Sequence, residues 1–333
     1  MNGKIFYSIL FLLSLNVPAQ TIKLLNTGTN ISLRGLSVVN DRIIWVSGNN
    51  GTVGESLDSG KTWKWMVIND FEKTDFRDIE AFDERSAVIM GIGEPAFILR
   101  TSNGGITWKV VYENKTKGIF LDAMEFWNEE SGIVIGDPIR NKFYIARTFD
   151  GGMHWREIPE KNYPTADSGE ACFAASGTCI RKLDKAEACF VSGGLKSKLF
   201  IRDEKMIIPF KQGKESSGAN SIAVKTNETL IVVGGDYLLK DTTNNNCFIT
   251  KDAGKTWITP SVSPHGYRSC VEYLHSKKWV CCGLNGVDYT IDDGKNWIWI
   301  SKEGFNVCRK AKDGKAVIFA GDNGKIGKLL KIK

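Results

Sequence analysis

The sequence predicts an all-β fold: a seven-bladed β-propeller with four antiparallel strands per blade. Three observations predict it. A short apolar run ends in glycine seven times, at Gly48, Gly91, Gly136, Gly193, Gly234, Gly283 and Gly321. An eight-residue phrase recurs five times: SLDSGKTW (56–63), TSNGGITW (101–108), TFDGGMHW (148–155), TKDAGKTW (250–257) and TIDDGKNW (290–297). No long stretch of the 333 residues keeps the 3.6-residue apolar period of a helix. A period of about 40–50 residues written only in strand-like segments is the pattern of propeller blades.

The first nineteen residues stand apart. MNGK supplies a positive start, IFYSILFLLSL (5–15) is an apolar run, and Val17 and Ala19 are small residues where a signal peptidase reads. This is a secretory signal and too short to span a membrane. Residues 1–19 are therefore expected to be removed, leaving one propeller domain over 20–333 in the periplasm or outside the cell. No later apolar run reaches spanning length.

Within each unit, strand A opens the blade, as in LRGLSVV or FRDIEAF. Strand B is the Gly-ended run, and strand C precedes the repeated phrase (AFILRTS, KFYIART). The phrase itself is the C–D turn of an Asp-box type, and strand D follows (WKWMVI, WKVVYE, WREIPE, WITPSV, WIWIS). Its glycine supplies positive φ, and the carboxylate or amide of Asp58, Asn103, Asp150, Asp252 or Asp292 accepts backbone N–H bonds within the turn. Trp63, Trp108, Trp155, Trp257 and Trp297 start strand D and pack across the turn. Blade four keeps the hairpin (KLFIRDEKMIIPF) without the phrase, and blade seven ends at its strand C, KIGKLLKIK. The missing outer strand has a donor in TIKLLN (21–26), so the N-terminus closes the ring and protects the open edge.

Strand alternation puts D–A and B–C connections on one face and the repeated turns on the other. At the start of the innermost strands stand Arg34, Arg77, Asp122, Glu170, Asn220, Arg268 and Asn306, and the B–C connections add Asp137, Asp236 and Asp322. Tyr237 and Tyr267 lie beside them in sequence. These side chains are expected to converge on one funnel, with Arg34, Arg77, Asp122, Asp137, Glu170, Asp236, Tyr237, Tyr267 and Arg268 as its ligand-binding set. Internal pairing of arginines with carboxylates is the competing structural role for the same ring.

Other signals point away from cofactors. GIGEPA (91–96) has the letters of a dinucleotide fingerprint, but Pro95 and a strand follow where a helix is required. The eight cysteines all lie in the C-terminal half; an even count permits disulfides without pairing them, and Cys281–Cys282 read as small buried hydrophobes. With no CxxC pair and His154, His265 and His275 off ligand spacing, no metal site is expected. The net charge of +6 is spread along the chain without a basic block, which gives nucleic-acid binding no support. A monomer is expected.

The phrases LRGLSVVNDRIIWVSGNNGTVGESLDSGKTW, FRDIEAFDERSAVIMGIGEPAFILRTSNGGITW, FWNEESGIVIGDP, GEACFAASGT, IVVGGDY and GYRSCVEYL resemble exported bacterial proteins related to the photosystem II stability/assembly factor. That family consists of seven-bladed propellers with BNR-type repeats, similar also to YVTN/WD-type repeat proteins. The resemblance implies an assembly-factor or chaperone-like role on an arginine-bearing face, for which Arg34, Arg77 and Arg268 are the candidates. Some members carry oxidoreductase or glycosidase-like labels; the cysteines and the Gly motif give a redox role no physical support. The expected function is thus a non-catalytic scaffold that binds a protein or saccharide at the funnel. The alternative is a hydrolase using the Arg and carboxylate ring. It would need two carboxylates, or a tyrosine and a carboxylate, facing one pocket at catalytic separation.

Overall fold

The computed structural model describes residues 20–331. Seven antiparallel sheets form the seven blades. Blade one comprises Leu33–Val38, Ile44–Gly48, Thr52–Ser56 and Lys64–Val67. Blades two, three and six repeat this order from inner strands Phe76–Ala81, Leu121–Phe126 and Cys270–His275. The second strands are buried throughout in most blades, as in AVIMG and LIVVG. They read as continuous apolar runs because a blade interior is covered on both faces.

The ring closes as the sequence predicts. Gln20–Leu25 pairs antiparallel with Ile326–Lys331, Ile22 opposite Leu329 and Leu25 opposite Ile326. Blade seven thus takes three strands from the C-terminus and its fourth from the N-terminus. The proposed leader lies outside the described residues.

The recurring glycine has a steric cause. The glycine that ends each apolar run pairs with the first residue of strand A, Gly48 with Leu33 and Gly136 with Leu121. A Cβ on Gly48 would strike the Ser32 carbonyl, and one on Gly136 the Phe120 carbonyl. The chain entering strand A passes over that position, so only a hydrogen fits.

The repeated turn is a self-satisfied knot. Asp58 Oδ1 accepts the Lys61 and Thr62 N–H groups at 3.0 and 2.9 Å, and the Thr62 hydroxyl donates to Oδ2 at 2.7 Å. His154 and Asn296, which replace threonine in two copies, reproduce the last bond to Asp150 and Asp292 with ring and amide nitrogens. The tryptophans pack into the blades: Trp108 of blade two meets Trp45 of blade one edge-on at 6.5 Å, and Trp155 meets Phe126 within blade three at 5.8 Å. Thr62's backbone N–H and hydroxyl hold Asp58 down to about 2, and Thr256's hydroxyl and N–H do the same for Asp252. A depressed carboxylate stabilises the fold above its unfolded pKa, about 3.9, and that contribution disappears as pH falls through about 2. Unfolding midpoints should therefore drop between pH 4 and 2, and the drop should flatten in Asp58→Asn/Asp252→Asn. Asparagine already serves at position 103, so the variant should fold; an acid limb as steep as wild type would refute the assignment.

Two blades depart from the sequence expectation. In blade five the segment after Trp257 makes only an isolated bridge, Ile249 to Ile258, in place of an outer strand. Pro260 has no N–H to continue the ladder, and Ser261 and Val262 instead donate to Lys295 O in the turn of blade six. In blade four the inner strand is broken into Glu170–Ala171 and Ile180–Lys182, and the residues between them enter the hub.

Candidate functional site

A β-bulge recurs at the second residue of the inner strand. Pairing slips between Leu33 and Gly35, Phe76 and Asp78, Leu121 and Ala123, and Ala219 and Ser221. The residues left out of the ladder are Arg34, Arg77, Asp122 and Asn220. A bulge frees one residue from the alternation and re-aims its side chain. Four blades thus use one backbone device to turn a polar residue out of the sheet.

In blade four the same position carries an eight-residue insertion, CFAASGTC (172–179), which plugs the hub. Its contacts reach around the ring. Ser176 donates to Ser269 O at 2.8 Å, Thr178 to Ser221 Oγ at 2.6 Å, and Arg309 to Gly177 O at 3.0 Å. On the mouth side, Arg34 Nη1 reaches Ala175 O at 3.4 Å and Arg77 Nη1 reaches Ala174 O at 3.3 Å. The sequence signal for the plug was the interval between Gly136 and Gly193, the longest of the six between the run-ending glycines.

Arg34 and Arg77 form the centre of this mouth. Arg77 pairs through Nε with Asp75 at 2.8 Å. Among the described residues no bond is made by Arg77 Nη2 or by the Nε and Nη2 of Arg34. Burial and the neighbouring Arg77 charge pull the Arg34 pKa below its ordinary value, although Asp322 and Asp75 offset part of this. A half-buried guanidinium beside a second one is short of anions, so a carboxylate entering here would be drawn by both.

Aromatic and apolar groups adjoin the pair. The Tyr237 ring meets plug residue Phe173 at 6.2 Å and Tyr267 at 6.3 Å. Tyr267 is buried and donates its hydroxyl to Asn220 at 2.8 Å. Asp236 caps the short turn Tyr237–Leu239 by accepting Leu238 N–H at 3.1 Å. That turn leaves Tyr237, Leu238 and Leu239 exposed at 41%, 73% and 51%.

The remaining members of the expected set are engaged elsewhere. Arg268 is fully buried and so does not join the funnel surface. Its guanidinium grips Asp288 through Nε at 2.7 Å and also through Nη2, and donates to Asn285 Oδ1, Tyr267 O and His265 O at 2.6, 2.8 and 2.9 Å. Arg268 precedes its strand rather than occupying a bulge, which turns the side chain into blade six. His265 stacks on Trp299 at 4.1 Å. Glu170 is buried between Lys198 Nζ at 3.0 Å, Asp167 N–H at 2.8 Å and the Ser192 hydroxyl. Asp236 also meets Lys214 at 3.3 Å.

Asp122 and Asp137 make an acid pair. Burial, then the Asp137 charge, push Asp122 far above the usual carboxylate range, and burial raises Asp137 to about 6. A proton on Asp122 supplies the donor that neither carboxylate has, and Asp137 also accepts Cys172 N–H at 2.9 Å. Asp122 has no solvent exposure. The pair anchors the plug's first residue. GIGEPA, for its part, is the turn between two strands, with no helix after it.

The opposite end of the hub holds a cavity of about 690 Å³ that reading the sequence missed. It is lined by the far ends of the inner strands, so no linear motif marks it. Its charges are largely matched internally. Arg181 bridges Glu125 and Glu272 at 3.3 and 3.2 Å, and Lys312 pairs with Glu80 at 2.6 Å.

No family model matches the chain, and no curated protein matches it. Solved structures do. A structure of YCF48 bound to D1 peptide superposes with a TM-score of 0.66 at 15% identity, covering 96% of this chain and 97% of that one. YCF48, a photosystem II assembly factor, from Cyanidioschyzon merolae gives 0.67 at 16% identity, covering 92% and 98%. The WD40 domain of Neurospora crassa Pan2 gives 0.61 at 11% identity, covering 91% of each chain. At these identities the likeness establishes the propeller fold.

Proposed function

We propose that this propeller is a non-catalytic scaffold that captures a segment of another protein at the plugged mouth. The segment carries a carboxylate beside apolar side chains. The observation that carries the reading is the under-neutralised pair Arg34 and Arg77, held on the plug carbonyls beside exposed Tyr237, Leu238 and Leu239. Guanidiniums suit carboxylates through paired N–H bonds, and the apolar turn suits a peptide's side chains better than a sugar's hydroxyls. The peptide bound in one YCF48 structure supports a protein ligand over a saccharide. The hydrolase alternative loses ground because Glu170 and Asp236 are held by cations and backbone N–H groups, and Asp122 is sealed.

Export to the periplasm or outside the cell goes with this role. An exported chain cut after Ala19 would begin at Gln20, where the closing strand begins. Mass spectrometry of the native N-terminus tests this, and a retained leader would refute it.

The binding test is a peptide array probed with the purified chain. Peptides pairing Asp, Glu or a free C-terminus with Leu, Phe or Tyr should bind best. Arg34→Ala/Arg77→Ala should weaken them by about 2–4 kcal/mol in total, the range for lost charge-assisted bonds, with little change in unfolding midpoint. Equal binding of neutral peptides, or full retention in the double variant, would overturn the reading.

A further inference from the structure

Three of the eight cysteines meet inside the hub wall. Cys270 and Cys282 face each other across the first two strands of blade six, and Cys308 comes from the inner strand of blade seven. All three are fully buried, and their sulfurs lie within 4.8 Å of one another. Cys308 Sγ is 3.6 Å from Cys270 Sγ. The Cys308 N–H points at Cys270 Sγ at 3.4 Å, and Thr178 Oγ1 of the plug, whose proton goes to Ser221, lies 3.8 Å from the same sulfur. Strand alternation separates this trio from Cys281, which packs with Cys247, Trp279 and Trp297 on the other side. Sequence spacing could not reveal the cluster, because each sulfur arrives on a different strand.

The geometry points to a trigonal tris-thiolate site for one soft d10 cation, Cu(I) before Zn(II), at Cys270, Cys282 and Cys308. Metal–sulfur bonds of about 2.3 Å in a plane place the sulfurs about 4.0 Å apart, within the separation observed. Thiolates select soft ions such as Cu(I) and Zn(II). A structural zinc site calls for a fourth ligand, and among the described residues no histidine or carboxylate joins the group. Cu(I) is content with three sulfurs. The Cys308 N–H at Cys270 plays the supporting role that orients a ligating sulfur. Because Thr178 belongs to the plug, a bound ion would also tie the plug to blades six and seven.

The test refolds the reduced full chain without oxygen in the presence of Cu(I) buffered by bicinchoninate, since the sulfurs are closed off in the folded protein. One Cu(I) per chain should survive gel filtration, and X-ray absorption at the copper edge should show three sulfurs at about 2.3 Å. Cys282→Ser should weaken retention at least about tenfold, while Cys281→Ser, its neighbour on the other face, should not. Three results would overturn the site: no retained copper in the wild-type chain, equal retention in Cys282→Ser, or a linear two-sulfur centre. The absorption spectrum needs only the wild-type chain, so a Cys282→Ser variant that failed to fold would leave the test intact. Zn(II) retained more tightly than Cu(I) would overturn the order of preference.

Discussion

Arg268→Ala should destabilise the protein by about 3–5 kcal/mol, the cost of stranding one member of a buried ion pair. The substitution leaves Asp288 buried without its cation and removes donors from Asn285 and from the Tyr267 and His265 carbonyls. It also opens a cavity between the strands of blade six. Denaturant unfolding measures the loss. Arg268→Lys should recover only part of it, because an ammonium cannot present the planar fork that meets these acceptors. Adding Asp288→Asn to Arg268→Ala should likewise restore part by removing the stranded charge. A loss below about 1 kcal/mol for Arg268→Ala would show that the guanidinium is solvated rather than caged. Arg34→Ala, whose guanidinium makes one long bond, should be nearly silent in the same assay.

Deleting residues 21–26 should be the next most damaging change. The segment supplies the fourth strand of blade seven, and its half-buried Ile22 and Leu25 pack against the core around Phe305 and Ile326. Losing those two side chains costs about 2 kcal/mol, before the lost ladder bonds are counted. The exposed edge of Ile326–Lys331 would then recruit other chains. Unfolding midpoint and light scattering should both register the deletion, and a synthetic peptide of residues 20–26 should restore the midpoint by adding back a strand. A truncated chain that stayed monomeric with an unchanged midpoint would refute closure by the N-terminus.

Much of the architecture was legible because blade geometry writes itself into sequence. The strand-B glycines mark where the incoming chain crosses, and Asp58 and its counterparts mark a turn that satisfies its own N–H groups. The closing strand was legible because blade seven visibly lacked a partner. The candidate site was legible only in part. Repeat position singled out Arg34 and Arg77, which do lie at bulges that take them out of the ladder, but it grouped the buried Arg268 with them. What separates Arg268 is Asp288, twenty residues away on another strand, and no local pattern announces such a pair. The plug was visible only as surplus length before Gly193. The cysteine trio and the far cavity were invisible, since each is assembled from strands of more than one blade.

Hydrogen exchange with and without a bound acidic-apolar peptide distinguishes the two ends of the hub as the binding site. Exchange should slow in the plug (172–179), at the starts of the inner strands of blades one and two, and in the Tyr237–Leu239 turn. The cavity-lining segment 127–129 at the opposite end should be unaffected. Protection confined to that opposite end would place the ligand in the 690 Å³ cavity and contradict the plugged-mouth site.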